Sequence, residues 1–355
     1  MIPPGRTIGI LGGGQLGRMT AMAAARLGYR SHVFCPETAS PAKLVTPFAT
    51  TAPYEDEEAL AAFAAAVDVV TFEFENVPAA AADLLARLKP VRPGPAILRI
   101  SQDRLAEKNF LREHGVGTTR YAEVRNADEL AHAVAAIGRP AVLKTVRLGY
   151  DGKGQVMIGG ETDLGSAWRG LGTDLAILEG FVDFACELSV IVARGMDGGW
   201  TAYPPVENRH VNHILDTTVA PAPLPPAIAA RATAIARETA EALGLVGLLA
   251  VEMFLTKDGA LLVNELAPRP HNSGHWTIDA CVTSQFEQLV RAICGLPLGS
   301  AEPHSDAVMK NLIGAEVESW RDRLADPRAK LHLYGKTEAF PGRKMGHVTT
   351  LKPRR

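Results

Sequence analysis

Two β-rich runs meet at a turn signal in Ala250-Val-Glu-Met-Phe-Leu-Thr-Lys-Asp-Gly-Ala-Leu-Leu-Val-Asn-Glu265. Asp258-Gly259 between them is the strongest short-range signal for a β-hairpin. A two-residue loop at these positions predicts that Glu252 lies directly opposite Glu265. A four-residue loop would make the two glutamates diagonal neighbours on one face, whereas a three-residue loop would put them on opposite faces. The length of this loop therefore decides whether the hairpin carries a two-carboxylate site.

Two carboxylates at this cross-strand distance repel each other. Directly opposed Cβ atoms lie about 4.5–5.5 Å apart, so the pair is destabilising unless one group is protonated or a cation sits between them. Mg²⁺ suits such a pair, because it prefers a few carboxylates together with substrate phosphates. The alternative is a solvated hairpin face with two unrelated glutamates.

Length and composition exclude several classes of protein. The chain has 355 residues, so two or three domains that share one site are expected. Its 37 basic residues are balanced by 39 acidic ones, which predicts no nucleic-acid partner. It has no run of 18 apolar residues, so we expect no membrane partner and a cytoplasmic location. Four cysteines without C-x-x-C spacing predict free thiols, so a bound metal would be held by oxygen.

The first hundred residues alternate between strands and helices. Thr7 to Leu11 and Ser31 to Cys35 are strand-like apolar runs, joined by the helical pattern of Gln15 to Leu27. Asp68 to Phe72 repeats the strand pattern after an alanine-rich helix. This order predicts an α/β domain with a doubly wound, Rossmann-like parallel sheet over residues 1–100.

A glycine-rich motif, Gly12-Gly-Gly-Gln-Leu-Gly17, lies between the first strand and the first helix. Glycines there let backbone N–H groups approach an anion at a helix N-terminus. With Glu37 near the spacing of a ribose-binding acid, the motif allows NAD. It equally suits another phosphate or a carboxylate, or tight packing alone. Glu73 and Glu75 follow a strand end, where α/β sheets bind ligands, so one of the two is a candidate contact for substrate hydroxyls or an amine; the alternative is a solvated loop acid.

The middle of the chain combines basic residues with glycine-rich turns. After a proline-rich boundary at Lys89 to Pro95, we expect a helix from Ser101, its N-cap, to Gly115. The strand Pro140 to Lys144 delivers a lysine that is costly to bury without an anionic partner. The loop Gly149-Tyr-Asp-Gly-Lys-Gly-Gln155 can close over a triphosphate, although the chain has no Walker A motif.

Two further acids follow in order along the chain. Glu179-Gly-Phe-Val182 leaves an acid and exposed backbone at a strand end, which suits an adenine edge and a ribose, and Glu187 begins the next apolar strand. Either glutamate alone is more typical of a surface position. Together with Lys144, the glycine loop and the hairpin glutamates, however, they form a progression that resembles the ATP-grasp superfamily.

Motifs along the whole chain sharpen this resemblance. They are Gly12-Gly-Gly-Gln-Leu-Gly-Arg-Met19, Phe72-Glu-Phe-Glu-Asn76, Gly149-Tyr-Asp-Gly-Lys-Gly154, Asn264-Glu-Leu-Ala-Pro-Arg-Pro-His-Asn-Ser-Gly-His275, Leu331-His-Leu-Tyr-Gly-Lys336 and Gly342-Arg-Lys-Met-Gly-His347. This set resembles the ATP-dependent 5-(carboxyamino)imidazole ribonucleotide synthase family of purine biosynthesis. One departure is that many ATP-grasp enzymes have Glu-x-Asn at the second metal acid, whereas here Asn264 precedes Glu265.

The resemblance implies a multidomain α/β and α+β fold and a homodimer. Residues 1–100 would be a Rossmann-like, pre-ATP-grasp domain that binds substrate. Residues 101–298 would form the ATP-grasp domain, with a lid subdomain over about 117–182, and residues 299–355 a small, mostly β, C-terminal domain.

The resemblance also implies a site for ATP and Mg²⁺. Glu252 and Glu265 would hold the metal, Arg104 and Lys144 would contact phosphates, and Glu187 would meet the ribose. The full set implied for the nucleotide is Arg104, Lys144, Gly149, Gly152, Gly154, Gln155, Glu179, Gly180, Phe181, Val182, Glu187, His210, Asn264 and Glu265.

A neighbouring site for aminoimidazole ribonucleotide and bicarbonate is implied as well. Its residues would be Gly14, Gln15, Leu16, Glu75, Asn76, Tyr150, Asp151, Lys153, Arg269, His271, Asn272, Lys336, Arg343 and Lys344. Asp151, Lys153, Arg269 and Lys336 would be catalytic. The implied reaction phosphorylates bicarbonate to carboxyphosphate and transfers the carboxyl group to the exocyclic amine. Carboxyphosphate is unstable in water, which gives the loop at 149–155 a purpose as a lid.

Other functions stay open at this point. Another ATP-grasp carboxylate–amine ligase or a formate-dependent purine-pathway transformylase would use the same nucleotide site. An NAD-dependent oxidoreductase would bind nicotinamide at Gly12 to Gly17 but has no evident use for Lys144 or the hairpin glutamates. A nucleotide-binding regulator would bind ATP without turnover.

Overall fold

Three β-sheets organise the chain in the computed structural model, which describes residues 1–147, 149 and 153–354. A parallel sheet comes from the first 72 residues, a small antiparallel sheet from residues 121–180, and a nine-stranded sheet from residue 184 onward. One cavity is lined by residues that follow or belong to all three sheets.

The N-terminal sheet is parallel and buried. Its elements are β1 (Thr7–Leu11), α1 (Gln15–Arg26), β2 (Arg30–Cys35), a 3-10 turn (Ala42–Leu44), β3 (Phe48–Thr51), α2 (Glu57–Ala65), β4 (Val69–Phe72), α3 (Ala79–Leu88) and α4 (Pro95–Ser101). The strand order is β3-β2-β1-β4, and every residue of β1 and β4 is buried. Helices therefore cover both faces, as an all-parallel sheet requires, and the predicted doubly wound α/β domain is confirmed.

The small antiparallel sheet carries the lysine that the sequence singled out. A helix precedes it, and the elements are α5 (Arg104–Glu113), β5 (Tyr121–Val124), α6 (Ala127–Ile137), β6 (Ala141–Thr145), β7 (Gln155–Ile158), α7 (Leu164–Leu171) and β8 (Ala176–Gly180). The strand order is β5-β8-β6-β7. The central strand β6 ends at Thr145, so Lys144 sits at the edge where β6 gives way to the glycine-rich loop.

The large sheet forms the body of the protein. Its first part consists of β9 (Phe184–Arg194), β10 (Trp200–Ala202), β11 (Val206–Val211), β12 (Ile214–Ala220), α8 (Pro226–Ala242), β13 (Gly247–Thr256), β14 (Leu261–Ala267), a 3-10 turn (Asn272–Gly274), α9 (Thr277–Ala280) and α10 (Gln285–Cys294). Phe286 and Leu289 of α10 share one hydrophobic core with Leu16 and Met19 of α1. This shared core joins the first sheet to the large one. Burial of each side chain of this size stabilises the folded state by about 1.5–3 kcal/mol.

The C-terminal strands continue the large sheet. They are β15 (Asp306–Ile313), a 3-10 turn (Gly314–Ser319), α11 (Trp320–Leu324), β16 (Ala329–Leu333) and β17 (Lys344–Lys352). The order β14-β13-β9-β11-β12-β15-β17-β16 makes them hydrogen-bonded neighbours of β12. The start of β17 is thereby brought to the cavity, which Lys344 lines. Among the helices described, none is long and apolar enough to cross a membrane.

The predicted two-residue loop of the hairpin is wrong, yet the predicted pairing of the glutamates is right. Leu255 pairs with Leu261 and Met253 with Val263, which is the register of a three-residue loop. A β-bulge at Asn264 then shifts the register by one residue, so Glu252 pairs with Glu265. The bulge cancels the effect of the longer loop and returns both glutamates to one face.

The helix that carries Arg104 begins later than predicted. Ser101 ends α4, and Asp103 is the N-cap of α5, where its Oδ1 accepts from the backbone N–H groups of Leu105 (3.1 Å) and Ala106 (3.0 Å). Asp is at least as good an N-cap as Ser. Of the two candidate N-caps, Ser101 and Asp103, the one nearer to the helix is used. As a result Arg104 is the first residue of α5.

Candidate active site

A cavity of about 300 Å³ brings together most of the residues that the sequence proposed for nucleotide and substrate. Those that line it are Glu75, Asn76, Arg104, Lys144, Gly149, Lys153, Gln155, Glu187, His210, Glu252, Asn264, Glu265, Arg269, His271, Asn272 and Lys344. Residues far apart in the chain thus converge on one space. Tyr150, Asp151 and Gly152, which were predicted to contribute to the lid, lie outside the described residues.

Arg104 connects the loop to the hairpin. Its Nη1 lies 3.7 Å from Glu265 Oε2, and its Nη2 donates to the carbonyl oxygen of Gly149 over 3.0 Å. The side chain is only about one-fifth exposed. One guanidinium therefore positions both the start of the glycine-rich loop and one of the two hairpin acids.

Lys144 finds the anionic partner that its burial requires. Its Nζ lies 2.9 Å from Glu179 Oε2, and the Glu179 side chain is almost fully buried. Burial opposes ionisation of Glu179, but the Lys144 charge outweighs it and lowers the pKa of that carboxyl. Glu179 Oε1 is buried with no hydrogen-bond partner among the described residues. The segment after it, Gly180, Phe181 and Val182, leaves the end of β8, and Phe181 is exposed.

Glu187 and His210 form a second buried pair on adjacent strands. His210 Nδ1 lies 2.5 Å from Glu187 Oε2, and both side chains are about one-quarter exposed. Burial disfavours the imidazolium, but the hydrogen bond and charge of Glu187 raise the pKa of His210. The pair presents a carboxylate and an imidazole to the cavity, which suits ribose hydroxyls.

The two hairpin glutamates differ in their surroundings. Glu252 Oε1 lies 2.9 Å from His271 Nε2, and His271 Nδ1 bonds with Ser273 Oγ at 2.8 Å. Although burial opposes ionisation, this imidazole lowers the pKa of Glu252 to about 2. Partial burial and the neighbouring Glu252 carboxylate instead raise the pKa of Glu265. The site therefore holds one firmly ionised acid beside one whose pKa stays raised although Arg104 Nη1 lies 3.7 Å away.

Arg269 lies between the hairpin glutamates and the end of the N-terminal sheet. Its Nε forms an ion pair with Glu75 Oε2, and the Arg269 side chain is about one-seventh exposed. Burial opposes ionisation of Glu75, yet the guanidinium lowers the pKa of that carboxyl to about 2. The charges of Glu265 and Glu252 also act on Arg269. Arg269 thus links an acid from the first domain to the two-carboxylate pair.

Three basic residues lie at or beside one wall of the cavity. Lys336 Nζ donates to the carbonyl oxygen of Lys344 over 2.7 Å, and Lys344 lines the cavity. Burial and the nearby Arg343 charge lower the pKa of Lys336 to about 8. Arg343 itself donates to the carbonyl oxygen of Glu338, and its guanidinium lies over the ring of Phe340. Lys336 and Arg343 are therefore next to the cavity wall, and neither is among its lining residues.

The glycine-rich motif is occupied by the chain's own carboxylate. Glu73 Oε1 accepts from Gly14 N over 2.5 Å, and Glu73 Oε2 accepts from Gly17 N over 2.7 Å. A Cβ at Gly14 would lie only 2.6 Å from Glu73 Oε1, so glycine is required there. Glu73 thus takes the position that a dinucleotide phosphate would need. The cavity lining does not include Gly14, Gln15 or Leu16.

Several lining residues were not predicted from the sequence. Gln102 donates through Nε2 to the carbonyl oxygens of Glu75 (2.5 Å) and Val77 (2.6 Å), and Glu107 and His213 also face the cavity. Glu107 and Lys108 follow Arg104 by three and four residues, so all three occupy one helical face. Adjacent charges on the buried face of a helix were the available signal for this pair.

A lysine paired with a buried acid, a glycine-rich loop and two hairpin glutamates around one cavity define an ATP-grasp enzyme. Three family models match the chain in order. They are the ribonucleotide synthetase preATP-grasp domain over residues 5–102, the ATP-grasp domain over 109–286, and the phosphoribosylaminoimidazole carboxylase C-terminal domain over 307–355. The chain is therefore an ATP-grasp ligase with the N-terminal and C-terminal domains that accompany this class.

Curated relatives narrow the family. The chain is 51% identical to N5-carboxyaminoimidazole ribonucleotide synthase of Brucella melitensis biotype 1, over 99% of this chain and 98% of that protein. It is 48% identical to the bifunctional purine synthesis protein purC/E of Dictyostelium discoideum, over 98% of this chain and 37% of that longer protein. The chain belongs to the N5-carboxyaminoimidazole ribonucleotide synthase family.

Solved structures agree over the whole fold. A crystal structure of the ADP complex of an N5-carboxyaminoimidazole ribonucleotide synthetase superimposes with a TM-score of 0.96 at 44% identity, covering 100% of this chain and 94% of that one. An Aspergillus clavatus synthase in complex with ADP and 5-aminoimidazole ribonucleotide gives a TM-score of 0.92 at 34% identity, covering 98% and 94%. The predicted family and the predicted multidomain fold are confirmed.

Proposed function

We propose that this chain uses ATP and bicarbonate to carboxylate the exocyclic amine of 5-aminoimidazole ribonucleotide. The products are 5-(carboxyamino)imidazole ribonucleotide, ADP and phosphate. One observation carries this proposal: Arg269, which is ion-paired with Glu75 at the end of the first sheet, lines the same cavity as the hairpin acids Glu252 and Glu265. A phosphoryl donor and an amine acceptor can therefore meet in a single cavity.

The nucleotide fits the side of the cavity between the small sheet and the hairpin. Arg104 and Lys144 are placed to contact phosphates, and Glu187 with His210 to contact the ribose. The unsatisfied Glu179 Oε1 and the backbone of residues 180–182 offer polar groups to adenine. Asn264 completes this pocket, and the loop that includes Gly149, Lys153, Gly154 and Gln155 borders the phosphates.

The donor set of the hairpin suits Mg²⁺. Both donors are carboxylate oxygens, and the described residues contain no cluster of three or more His, Cys, Asp or Glu that could hold a metal alone. Two carboxylates that need phosphate oxygens to complete the coordination are what Mg²⁺ prefers. We infer that Glu252 and Glu265 would hold Mg²⁺, which when bound neutralises charge on the transferring phosphoryl group.

The proposed reaction proceeds in two steps. A bicarbonate oxygen attacks the γ-phosphorus of ATP, so an O–P bond forms and the bond to ADP breaks. Carboxyphosphate then transfers its carboxyl group to the exocyclic amine, inside a closed site that keeps the intermediate from bulk water. The C–N bond forms, the C–O bond to phosphate breaks, and the proton that the amine gives up passes to the departing phosphate.

Residues around the second step position its charges. We assign Arg269 and His271, which line the cavity together with Asn272, to the place where bicarbonate meets the γ-phosphate. Glu75 and Asn76 face the acceptor, and Lys336, Arg343 and Lys344 supply positive charge for its phosphate. Preorganised charges of this kind stabilise developing anions more than mobile water does. We further propose Lys153 and Asp151 as catalytic residues of the lid. Tyr150 is proposed as a substrate contact and Gly152 as a residue of the nucleotide-binding loop.

Three predictions from the family accompany this function. We propose domain boundaries near residues 100 and 298, with the lid over about 117–182. Homodimerisation and a cytoplasmic location are likewise expected of the intact protein. The large, shared core between α1 and α10 supports a fixed arrangement of the first two domains around the cavity.

The proposal is tested by following ADP release from Mg-ATP while each substrate is omitted in turn. We expect ADP to form only when bicarbonate and aminoimidazole ribonucleotide are both present. Formate in place of bicarbonate should give no stimulation, which separates this activity from a transformylase. ADP release that ignores the ribonucleotide would contradict the proposed acceptor.

A further inference from the structure

The strand that carries Glu265 has a covered outer edge. β14 is the edge strand of the large sheet, and edge strands otherwise present unpaired backbone groups. Here Val263 N donates to the carbonyl oxygen of Gly117 over 2.8 Å, and Thr118 Oγ1 donates to the carbonyl oxygen of Val263 over 2.8 Å. The segment before the small sheet therefore holds β14 from outside.

Lys108 makes the most costly contact at this edge. It is 1% exposed, and its Nζ donates to Thr118 Oγ1 (2.8 Å), the carbonyl oxygen of Val263 (3.2 Å) and that of Asn264 (2.8 Å). All three ammonium hydrogens thus go to uncharged oxygens. A buried ammonium carries a desolvation penalty of several kcal/mol, which these three hydrogen bonds and the charges of Glu179 and Glu107 offset.

Glu107, the neighbouring residue, holds the same strand on the other side of Glu265. It is 3% exposed, and its Oε2 accepts from Leu266 N over 2.9 Å. The contacts of Glu107 and Lys108 therefore fall on residues 263, 264 and 266. They bracket Glu265 and leave its side chain directed into the cavity.

The bracketed residues include the β-bulge. Asn264 is the extra residue that lets Glu265 pair with Glu252, although Met253 pairs with Val263. Bulges beside active sites redirect a side chain, and here the bulge decides the face on which Glu265 lies. Lys108 donates to the carbonyl oxygens of Val263 and Asn264, the two residues that precede Glu265.

We propose that Glu107 and Lys108 are positioning residues that fix the Asn264 bulge and thereby hold Glu265 opposite Glu252 for metal binding. This inference rests on the proposed metal pair. Glu107, Lys108 and Thr118 form a clasp, and the groups that they bind belong to the strand that carries Glu265. Its function is to keep two repelling carboxylates in register when the metal is absent.

The clasp is tested by the affinity of Mn²⁺ for the ADP-bound protein, measured from the electron paramagnetic resonance signal of free Mn²⁺. Replacing Lys108 with methionine should weaken Mn²⁺ binding about tenfold or more, as supporting residues of metal sites do. ADP affinity in EDTA should stay within about threefold of the original, because the phosphate contacts are intact. Thr118→Val removes both hydrogen bonds of the Thr118 hydroxyl, one from Lys108 Nζ and one to the carbonyl oxygen of Val263, and should weaken Mn²⁺ binding in the same direction if Lys108→Met does not fold.

Matched variants separate the clasp from general stability. Glu107→Gln keeps an oxygen for Leu266 N and should preserve Mn²⁺ affinity, whereas Glu107→Leu should weaken it. Thr256→Val loosens the turn end of the same hairpin, where Thr256 Oγ1 accepts from Ala260 N over 2.9 Å, and should leave Mn²⁺ affinity unchanged.

Three results would overturn the inference. Unchanged Mn²⁺ affinity in folded Lys108→Met or Thr118→Val, with Glu265→Gln losing it, would leave the metal pair standing and remove the clasp. Unchanged affinity in Glu265→Gln itself would remove the metal pair and the clasp together. Equal weakening in Thr256→Val would show that hairpin stability, rather than the clasp, controls the metal.

Discussion

Replacing Glu265 with glutamine is expected to lower kcat by about a thousandfold or more while the protein stays folded. The amide keeps the shape of the side chain but removes the charge that would hold Mg²⁺. A metal contributes several kcal/mol of charge stabilisation to phosphoryl transfer, and about 4 kcal/mol corresponds to three orders of magnitude. Steady-state ADP release over a range of Mg²⁺ concentrations measures the effect.

The same Glu265→Gln substitution should not lower the stability of the folded protein. Glu265 lies opposite Glu252, and burial together with that carboxylate raises its pKa, so a neutral isostere relieves repulsion. The unfolding midpoint of Glu265→Gln should therefore equal or exceed that of the original chain. Glu241→Gln, which alters an exposed pair with Arg237, is the control and should change neither quantity. Near-normal turnover in Glu265→Gln would refute the metal assignment.

Replacing Arg269 with methionine is expected to lower kcat by about 100- to 1,000-fold, with little change in the KM for ATP. Arg269 bonds to Glu75 and not to the proposed phosphate contacts, so its loss removes preorganised charge at the reacting centre. The loss of one such donor typically costs this much. Initial rates at saturating and limiting ATP separate kcat from KM.

The control for Arg269 is an arginine in an exposed ion pair. Arg209 pairs with Glu207 at 2.8 Å, and its side chain is 62% exposed, so Arg209→Met should leave the rate within about twofold, since exposed pairs contribute little. A large rise in the KM for ATP in Arg269→Met, with kcat preserved, would instead place Arg269 in the nucleotide pocket.

The hairpin shows how far the sequence determines a site. Alternating apolar residues and Asp258-Gly259 are local signals, and they correctly predict two strands with Glu252 near Glu265. The loop length was wrong by one residue, and the Asn264 bulge compensated for it. A bulge depends on what packs against the strand, and Lys108, which binds the carbonyl oxygens of Val263 and Asn264, comes from helix α5. No pattern within the hairpin sequence could therefore reveal the bulge.

The glycine-rich motif shows the same limit from the other direction. Its local signal correctly predicts backbone N–H groups aimed at an anion. The anion is Glu73, which is 59 residues away from Gly14 in the chain. Burial raises the pKa of Glu73 even though two amide N–H groups bind it. Sequence spacing could identify the anion-binding turn but could not say which anion fills it.

Lys144 was the most predictable part of the site. A lysine that ends an apolar strand needs an acid, and only long-range pairing in the small sheet decides which one. Val142 pairs with Glu179, and Lys144 with Ile177, so the partner lies diagonally across the strands. The need for an ion pair was visible in the sequence, whereas the identity of the partner required the fold.

The central claim is that bicarbonate is activated by phosphorylation before its carboxyl group reaches the amine. Supplying ¹⁸O-labelled bicarbonate with Mg-ATP and aminoimidazole ribonucleotide, and analysing the released phosphate by mass spectrometry, tests it most directly. Carboxyphosphate formation predicts one bicarbonate oxygen in each phosphate, because the O–P bond formed in the first step survives the second. Phosphate that contains no bicarbonate oxygen would contradict the account.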